Sequence, residues 1–393
     1  MTSRERVRKA MELAEPDRVP VFCQLAIGHY FLHAGASPFD IWFRSEGFAE
    51  ALVELQRRYR FDGILVNLPG RDPELERHIL RVDREAGGSV VRWKNGCFTR
   101  LPRDDNPHYF QPDGSRAFPS FRELEPEDLW YVEPWDLTGV GAPYRWGFDP
   151  DPRSPEDFFP PYHLDTLAAV LERTGGEVSV HGEVFSPFSQ LLELLNYEGA
   201  LMALMDDPGK VRICLERLTE GAVDLACRQA RAGVDAVLIS SAFAGSGFIS
   251  RTHYGEFVLP YEKRLVEEVR RRHPNVKIYT HTCGGIGDRL DLMLASGTQG
   301  IDTLDPPPLG TVELEDAVAL LKGKAFIKGN IDPVHTLLYG DQDKVREAVL
   351  HRLRVAAPGG GYILSSACSV APGVRPEILE LMVEVAMEHG VYG

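Results

Sequence analysis

One pattern recurs along most of this chain: a short run of β-branched and other apolar residues, then a loop, then a stretch with helical spacing of apolar residues. Eight such runs are candidate strands, at residues 19–23, 63–67, 178–182, 236–239, 277–280, 300–304, 325–329 and 361–364. Helical periods lie between most of them, for example at 208–232, 253–272, 341–356 and 376–389. Strands that alternate with helices predict a parallel sheet covered on both faces. Eight of them predict an α/β fold of the (β/α)₈ TIM-barrel type, in a single domain of residues 1–393, and an open doubly wound sheet is the alternative.

The overall charge of the chain narrows its range of partners. With 43 Lys and Arg residues against 58 Asp and Glu residues, the net charge is −15 at neutral pH. Nucleic acids and anionic membrane surfaces attract proteins through positive surface charge. The composition therefore argues against both as main partners.

The chain lacks the patterns expected of a membrane or secreted protein. No stretch approaches the roughly eighteen uninterrupted apolar residues that a membrane helix needs. Residues 1–20 are charged and lack the apolar core of a signal peptide. The six cysteines are too sparse for a disulfide scaffold, which fits a reducing compartment. We therefore expect a cytoplasmic protein whose cysteines serve metal binding or catalysis.

The alternation of strands and helices is interrupted between about residues 70 and 161. Apolar residues at 90–93 and 97–99 flank Asn95 and Gly96, which predicts a β-hairpin on a type I′ turn. The segment is also rich in aromatic residues, among them Tyr109, Phe110, Phe118, Trp130, Tyr131, Trp135 and Trp146. We interpret it as an insertion after the second strand that packs over the barrel mouth, and an ordinary surface elaboration is the alternative.

Three candidate metal ligands follow predicted strands. In a (β/α)₈ barrel the active site forms at the carboxyl ends of the strands. The predicted strand 277–280 leads directly into His281 and Cys283, and residues two apart in extended chain point to the same side. The last predicted strand, 361–364, ends shortly before Cys368. Because the barrel closes, all three side chains can reach one point on the rim, and a buried histidine with two inert core cysteines is the alternative.

One imidazole and two thiolates form a ligand set that suits Zn²⁺. Three protein ligands with one open position are typical of a catalytic zinc site, whereas structural sites have four protein ligands. Gly284 and Gly285 follow Cys283 and let the backbone turn closely around an ion. The pattern therefore predicts a zinc ion bound by His281, Cys283 and Cys368.

Glu183 is the next candidate, because it follows the third predicted strand at the same rim. Its carboxylate can complete the zinc coordination when substrate is absent, or act as a general base. A solvated loop glutamate is the alternative. His181, two residues earlier, is interpreted as a core histidine that faces the barrel interior.

Polar residues also follow the sixth and seventh predicted strands. Asn330 and Asp332 place an amide and a carboxylate beside the site, and Asp332 is a candidate acid–base group. Asp332 can instead cap the helix that follows. Asp302 and Asp305 are equally open between a role at the site and a structural role. Asp305 and Asn330 are the candidates for substrate binding.

Several motifs point to a known family. They are residues 3–10 (SRERVRKA), 17–21 (DRVPV), 185–188 (FSPF) and 329–333 (GNIDP), together with the final strand, loop and helix. In these motifs the chain resembles the uroporphyrinogen decarboxylase superfamily, over nearly its whole length apart from the insertion at 70–161. The resemblance implies the (β/α)₈ barrel that this superfamily adopts.

The superfamily has two main branches, and this chain differs from the first branch at positions that serve catalysis or substrate binding there. Decarboxylases of the porphyrin pathway carry arginines after the first strand, a catalytic aspartate after the second and a histidine in the last strand–loop segment. This chain has no arginine at 22–29, and it has Asn67 and Cys368 at the other two positions. Without those arginines, a chain of net charge −15 is a poor host for an eight-carboxylate tetrapyrrole. Asn67 is therefore a candidate for binding a different substrate.

The second branch consists of zinc-dependent methyltransferases that work with a corrinoid, a cobalamin-type cofactor, and its pattern is H-x-C with a later cysteine. His281, Cys283 and Cys368 match this pattern residue by residue. In that branch zinc binds a thiol or the oxygen of a methyl ether, and the methyl group moves between that atom and cobalt. The chain has no D-x-H-x-x-G cobalt-binding motif, so the resemblance implies that a partner protein carries the corrinoid.

The resemblance thus implies a zinc-dependent methyltransferase that acts on a small thiol or on a methylated, for example methoxy-aromatic, compound. Its partners would be a corrinoid protein and the small-molecule substrate, and a homodimer is an open expectation. A decarboxylase acting on a porphyrinogen is the enzymatic alternative. A zinc protein without catalytic activity is the third reading, and a permanent fourth zinc ligand from Glu183 would be its signature.

Overall fold

The computed structural model describes residues 1–116, 118–133 and 157–393. Its strands are β1 (Gly63–Val66), β2 (Ile79–Glu85), β3 (Gly88–Trp93), β4 (Phe98–Pro102), β5 (His108–Phe110), β6 (Ser179–Phe185), β7 (Ala236–Ser240), β8 (Lys277–His281), β9 (Gly300–Thr303), β10 (Phe326–Ile331) and β11 (Tyr362–Ser366). Its α-helices are α1 (Ser3–Met11), α2 (Ile27–His33), α3 (Pro38–Phe43), α4 (Ser45–Tyr59), α5 (Asp165–Thr174), α6 (Pro187–Leu195), α7 (Tyr197–Asp206), α8 (Pro208–Ala232), α9 (Arg251–Phe257), α10 (Leu259–Arg272), α11 (Leu290–Ala295), α12 (Leu314–Leu321), α13 (Gln342–Ala356) and α14 (Pro376–His389). Shorter helical turns lie at Leu75–His78, Pro126–Asp128 and Pro333–Leu338. None of the described helices combines the length and the apolar character that crossing a membrane requires.

Seven parallel strands form one curled sheet in the order β1, β6, β7, β8, β9, β10, β11. The segment predicted as the first strand, 19–23, closes this sheet into a ring because it bonds to both edges. The N–H of Phe22 donates to the carbonyl of Leu364 on β11 (2.9 Å), and the N–H of Asp62, just before β1, donates to the carbonyl of Val21 (2.7 Å). The predicted (β/α)₈ barrel is therefore confirmed, although its first strand forms single bridges and not a regular ladder.

The other seven predicted strands are all present, and two boundaries differ in a useful way. The third predicted strand, now β6, extends to Phe185, so that Glu183 lies inside the strand and does not follow it. The predicted helix at 253–272 is divided into α9 and α10 at Val258. Pro260 in the first turn of α10 explains the division, because it has no N–H to donate and its ring crowds the preceding turn.

Between β1 and α5 the chain forms a separate antiparallel sheet in the order β2, β3, β4, β5. The predicted hairpin is confirmed as the pair β3 and β4. Its predicted type I′ turn is wrong, since that turn needs a positive φ at both central residues and here only Gly96 has one, at 90°. Asn95 keeps a negative φ, and its Oδ1 accepts the N–H of Cys97 (3.0 Å).

The inserted sheet and the residues after it contact the side of the barrel on which the strands end. Trp93 of β3 packs edge-on against an aromatic ring of α3, with 5.5 Å between the ring centroids. The hydroxyl of Tyr131 accepts the N–H of Phe185, the last residue of β6 (3.0 Å). The predicted insertion after the second barrel strand is present, while Trp135 and Trp146 of that segment lie outside the described residues.

Asp62 joins the chain segments that close the ring. Its buried carboxylate accepts hydrogen bonds from Arg6 Nη1 (2.7 Å), Arg18 Nη1 (2.8 Å) and the hydroxyl of Ser3 (2.8 Å). It also accepts the N–H of Val21 (2.8 Å). Arg6 reaches it from α1 and Arg18 from the closing segment. The motifs at residues 3–10 and 17–21 therefore have a structural role. Their arginines form a buried ion-pair cluster with Asp62 at the amino end of the barrel, which we call the clasp.

We predict that Asp62→Asn lowers the free energy of unfolding by about 3 kcal/mol, because it leaves Arg6 and Arg18 with weaker partners in a buried site. Glu380→Gln is the matched control, since Glu380 pairs with Arg58 at 3.1 Å on the surface. The control should cost less than about 1 kcal/mol. Urea unfolding followed by circular dichroism measures both, and equal effects of the two substitutions would contradict the clasp.

Candidate metal centre

Two strands carry the three predicted ligands to the same rim of the barrel. His281 is the last residue of β8, and Cys283 follows two residues later. Gly284 then turns the chain with a φ of 75°, which a residue with a Cβ rarely adopts. On the other side of the ring, β11 ends at Ser366 and Cys368 again follows two residues later. The sequence prediction that these strand ends meet is therefore confirmed.

The donor atoms of the three side chains converge on one point. His281 Nε2 lies 3.2 Å from Cys283 Sγ, and Cys283 Sγ lies 3.4 Å from Cys368 Sγ. All three donor atoms are within 4.8 Å of one another. His281 is buried, whereas both cysteines are free thiols with partial exposure. One nitrogen and two sulfurs in this arrangement fit the ligand set of a catalytic zinc site.

The second ring nitrogen of His281 faces a buried carboxylate. His281 Nδ1 lies 3.3 Å from Asp302 Oδ2, and Lys328 Nζ lies 2.9 Å from the same oxygen. A carboxylate at Nδ1 favours the tautomer that carries its hydrogen there, so that Nε2 keeps its lone pair for an ion. Zinc-bound histidines in proteins are usually oriented in this way. The contact is a second observation, independent of the three donors, that fits a metal site.

The charges of the three ligand groups are strongly coupled. Burial disfavours a charged imidazole, but hydrogen bonds to Asp302 and Cys368 outweigh it and raise the pKa of His281 to about 10. The hydrogen bond from Cys283, together with His281, holds the pKa of Cys368 well below its usual range despite burial. The hydrogen bond to Cys368 and burial raise the pKa of Cys283. The centre thus stabilises a thiolate beside a positive charge, and a bound cation would take over that positive charge.

Glu183 lies on β6 and is only 7% exposed, so the reading as a solvated loop residue is wrong. Its Oε2 is buried without a hydrogen-bond partner among the described residues, and burial raises the pKa of this carboxyl to about 7. Its role as a zinc ligand or general base stays a prediction. His181, also on β6, bonds to the hydroxyls of Tyr279 (2.9 Å) and Ser179 (3.1 Å) in the barrel interior. The interpretation of His181 as a satisfied core histidine is confirmed.

Asn67, Asn330 and Asp305 also lie at the rim, as predicted. Asn67 directly follows β1 and is buried. Asn330 donates its side-chain N–H to the carbonyl of Leu304 (2.9 Å), while its buried Oδ1 has no partner among residues 1–116, 118–133 and 157–393. Asp305 accepts the N–H of Gly284 (2.6 Å), and burial raises the pKa of its carboxyl to about 6. Their assignment to substrate binding stays a prediction.

Asp332 is engaged in capping the helical turn Pro333–Leu338. Its Oδ1 accepts the N–H groups of Val334 (2.8 Å) and His335 (2.7 Å). Its Oδ2 lies 2.9 Å from His335 Nδ1. The alternative prediction, that Asp332 caps the helix that follows it, is therefore confirmed. A role of Asp332 in acid–base catalysis stays a prediction.

Two charged residues near the centre escaped the sequence reasoning. Lys328 could have been found from the sequence, because a lysine inside an apolar parallel strand is unusual. No sequence pattern indicates Glu133, since it lies in the irregular segment after the inserted sheet. Glu133, Asn67 and Glu183 line one small cavity of about 20 Å³, room for a single water molecule. Burial raises the pKa of Glu133 to about 8, although the nearby Arg71 works in the opposite direction.

The family model for uroporphyrinogen decarboxylase (URO-D) matches residues 150–389, more than half of the chain. The chain belongs to this family. It is 26% identical over 235 residues to a uroporphyrinogen decarboxylase from Ruthia magnifica, which covers 58% of this chain and 65% of that protein. It is 24% identical over 290 residues to a uroporphyrinogen decarboxylase from a Picosynechococcus strain. That match covers 70% of this chain and 79% of the relative. The chain spans less than two thirds of the length of the first curated relatives it matches, 53% in one case from Chlorobium phaeovibrioides.

A solved structure supports the same fold for this URO-D family chain. A methyltransferase from Methanosarcina mazei superimposes over 99% of both chains with a TM-score of 0.71, at 18% sequence identity. At that identity the likeness establishes the fold alone. The relatives found by sequence are named decarboxylases and the structural neighbour is named a methyltransferase, so the choice of activity rests on the residues of the site.

We predict that the purified protein contains about one zinc ion per chain. Cys283→Ser and Cys368→Ser should each remove most of it, because each deletes one of three ligands and leaves the barrel core intact. Cys97→Ser, at a cysteine in the inserted sheet, is the matched control and should retain the ion. Elemental analysis measures the content, and full zinc occupancy in the double variant of Cys283 and Cys368 would overturn the site.

Glu133 predicts a specific pH dependence of stability. Its folded-state pKa of about 8 lies above the ordinary value of a glutamate, so between about pH 5 and 8 the folded protein holds a proton that the unfolded chain releases. This group therefore makes the free energy of unfolding fall as the pH rises through that window. In Glu133→Gln the fall should be smaller, whereas in the exposed control Glu85→Gln it should equal that of the wild type. Urea unfolding at pH 5 and pH 8 checks this, and parallel behaviour of Glu133→Gln and wild type would contradict it.

Proposed function

We propose that this protein is a zinc-dependent methyltransferase that exchanges a methyl group between a corrinoid protein and a small thiol or a methylated compound such as a methoxy-aromatic. The observation that carries the proposal is the convergence of His281 Nε2 with the sulfurs of Cys283 and Cys368. Asp302 behind His281 supports it, since it leaves Nε2 free for an ion. Membership of the URO-D family and the barrel fold support the general class.

A zinc ion held by these residues would supply a Lewis acid that stabilises a thiolate or polarises an ether oxygen at neutral pH. His281, Cys283 and Cys368 leave one position for the substrate atom. With a thiol as acceptor, the S–H proton is lost and a sulfur–carbon bond forms. A methylated corrinoid on the partner protein would supply the methyl group and would leave in the cob(I) form, which keeps the electron pair of the broken bond. In the opposite direction an ether oxygen would keep the electron pair of its bond to the methyl group and take up a proton, and a corrinoid in the cob(I) form would accept the methyl group.

In this proposal Glu183 takes the proton that a thiol releases. Its Oε2 has no partner among the described residues, and its pKa of about 7 lets the carboxylate accept a proton near neutral pH. Burial also keeps bulk water away from this oxygen. In this proposal Glu183 supplies the acid–base function, or fills the open zinc position until substrate displaces it. Permanent coordination by Glu183 would close the site and favour a zinc protein without activity.

The other polar groups of the rim indicate what kind of substrate fits. Asn330 Oδ1 is a buried acceptor without a partner in the described part of the chain, and Asp305 adds a buried carboxyl. Asn67 offers an amide where the decarboxylases, by the resemblance, have aspartate. These groups provide hydrogen bonds but no positive charge. They favour a small neutral substrate over a molecule with many carboxylates, which would require arginines.

Decarboxylation of a porphyrinogen is the second candidate, and the named relatives favour it. Their identity of 23–28% extends over about half to two thirds of this chain in most cases. Against it stand the absence of arginine at 22–29 and the presence of Asn67 and Cys368 at positions where the decarboxylases differ. A decarboxylase also has no use for two thiols and an imidazole within 4.8 Å of one another. The methyltransferase accounts for all of these residues.

We predict that the zinc-loaded protein demethylates free methylcobalamin with 2-mercaptoethanol as acceptor under anaerobic conditions, or methylates cob(I)alamin from 2-methoxyphenol. The visible absorption of the corrinoid follows either direction. Cys283→Ser should reduce the rate to that of the reaction without protein, because the substrate atom loses its metal. Cys97→Ser should keep the wild-type rate.

The competing assay is the conversion of uroporphyrinogen to coproporphyrinogen. Turnover above about 1 per second would overturn the methyltransferase in favour of the decarboxylase. Equal methyl-transfer rates in Cys283→Ser and wild type would contradict the role of the metal centre, even if transfer itself were observed.

A further inference from the structure

Lys328 is a buried cation whose position the three zinc ligands do not explain. It lies on β10, is 1% exposed and points into the barrel beside the ring of Phe22, with Nζ 5.0 Å from the ring centroid. Its Nζ donates to both oxygens of Asp302, at 2.9 and 3.1 Å. Asp302 itself is 2% exposed. A lysine and an aspartate removed from water in this way depend on each other for charge compensation.

The register of the barrel strands shows why this pair lies where it does. His281 on β8 is opposite Asp302 on β9, and Asp302 is opposite Lys328 on β10. The three residues therefore occupy one level of three neighbouring parallel strands, with their side chains on the inner face. A contact chain runs from Lys328 through Asp302 to His281 Nδ1, and the zinc-facing Nε2 is at its end.

We propose that Lys328 is a positioning residue of the metal centre: it holds the Asp302 carboxylate in place, and Asp302 in turn orients the His281 ring towards the ion. The inference rests on the proposed zinc site and adds a residue that two others, Asp302 and His281, separate from the metal. Lys328 touches neither the ion nor the substrate in this scheme. Its effect reaches His281 only through Asp302.

Geometry supports an orienting role over a purely structural one. An ion pair with a purely structural role needs only the lysine and the aspartate. Asp302 also contacts His281 at 3.3 Å and accepts the N–H of Thr303 at 2.9 Å. Lys328 and Thr303 together hold Oδ1, and Lys328 also contacts Oδ2, the oxygen that faces His281. Loss of Lys328 would leave Oδ2 with the imidazole as its one remaining partner among the described residues. The carboxylate would then be free to rotate away from Nδ1.

The test measures zinc affinity by competition with a chelator in the folded protein. Lys328→Met, which keeps the length of the side chain but removes its charge, should weaken zinc binding by about 10- to 100-fold, as loss of an outer partner of a zinc-bound histidine usually does. Asp302→Asn should weaken it to a similar extent. Tyr279→Phe is the matched control in the barrel interior, since its hydroxyl bonds to His181 (2.9 Å), and it should change the affinity less than about 2-fold.

The double variant Asp302→Asn/Lys328→Met decides whether Lys328 acts through Asp302. It leaves no unpaired buried charge, so it should fold even if Lys328→Met alone does not. If Lys328 acts only through Asp302, the double variant binds zinc as Asp302→Asn does, and the two effects do not multiply. The visible spectrum of the Co²⁺-substituted protein should change in the same variants, which a loss of general stability would not cause.

Three results would overturn the inference. Wild-type zinc affinity in folded Lys328→Met would remove Lys328 from the centre. If the double variant lost zinc affinity by the product of the two single losses, Lys328 would not act through Asp302. Wild-type affinity in both Asp302→Asn and the double variant would exclude the whole contact chain. Absence of zinc binding in the wild-type protein would instead overturn the proposed metal site itself, so the two failures are distinguishable.

Discussion

Closure of the barrel strands into a ring brings together residues that lie far apart in the chain. Cys283 and Cys368 are 85 positions apart in the chain, yet their sulfurs lie 3.4 Å apart because both follow strands that end at one rim. The segment at 19–23 bonds to both edges of the seven-stranded sheet, and Asp62 ties that segment to α1 through paired arginines. The ion pairs of Asp62 thus lie at the amino end of the barrel, and the candidate zinc ligands lie at the carboxyl end.

The barrel buries several ionisable groups around the candidate metal centre. Asp302 and Lys328 neutralise each other, whereas Glu183 and Glu133 are buried carboxyls with pKa values raised by burial to about 7 and 8. Buried groups with shifted pKa values are characteristic of catalytic sites, because their protonation can change near neutral pH. The small cavity between Glu133 and Glu183 connects the inserted segment with the chemistry at the rim. A residue that follows the inserted sheet, Glu133, thus lines one cavity together with Glu183 of β6.

Much of this architecture follows from local sequence patterns, and the part that does not has a physical reason. Apolar runs predict the strands, and the rule that sites form at strand ends then brings His281 and Cys368 together. The sequence pattern predicts that the strand ends before Glu183, whereas β6 continues through this buried charged residue to Phe185. The pairing of Lys328 with Asp302 required the register between strands, which a single sequence does not contain. Glu133 required the tertiary path of an irregular segment, for which periodicity offers no information.

X-ray absorption at the zinc edge is the decisive measurement for the proposed zinc site, because it reads the atoms around the ion without reference to activity. We predict a shell of two sulfur atoms at about 2.3 Å and a nitrogen at about 2.0–2.1 Å, completed by one light atom from a carboxylate or water. Any zinc that Cys368→Ser retains should show half of this sulfur contribution. A shell of nitrogen and oxygen atoms alone in the wild-type protein would show that the ion lies elsewhere, and would contradict the metal centre formed by His281, Cys283 and Cys368.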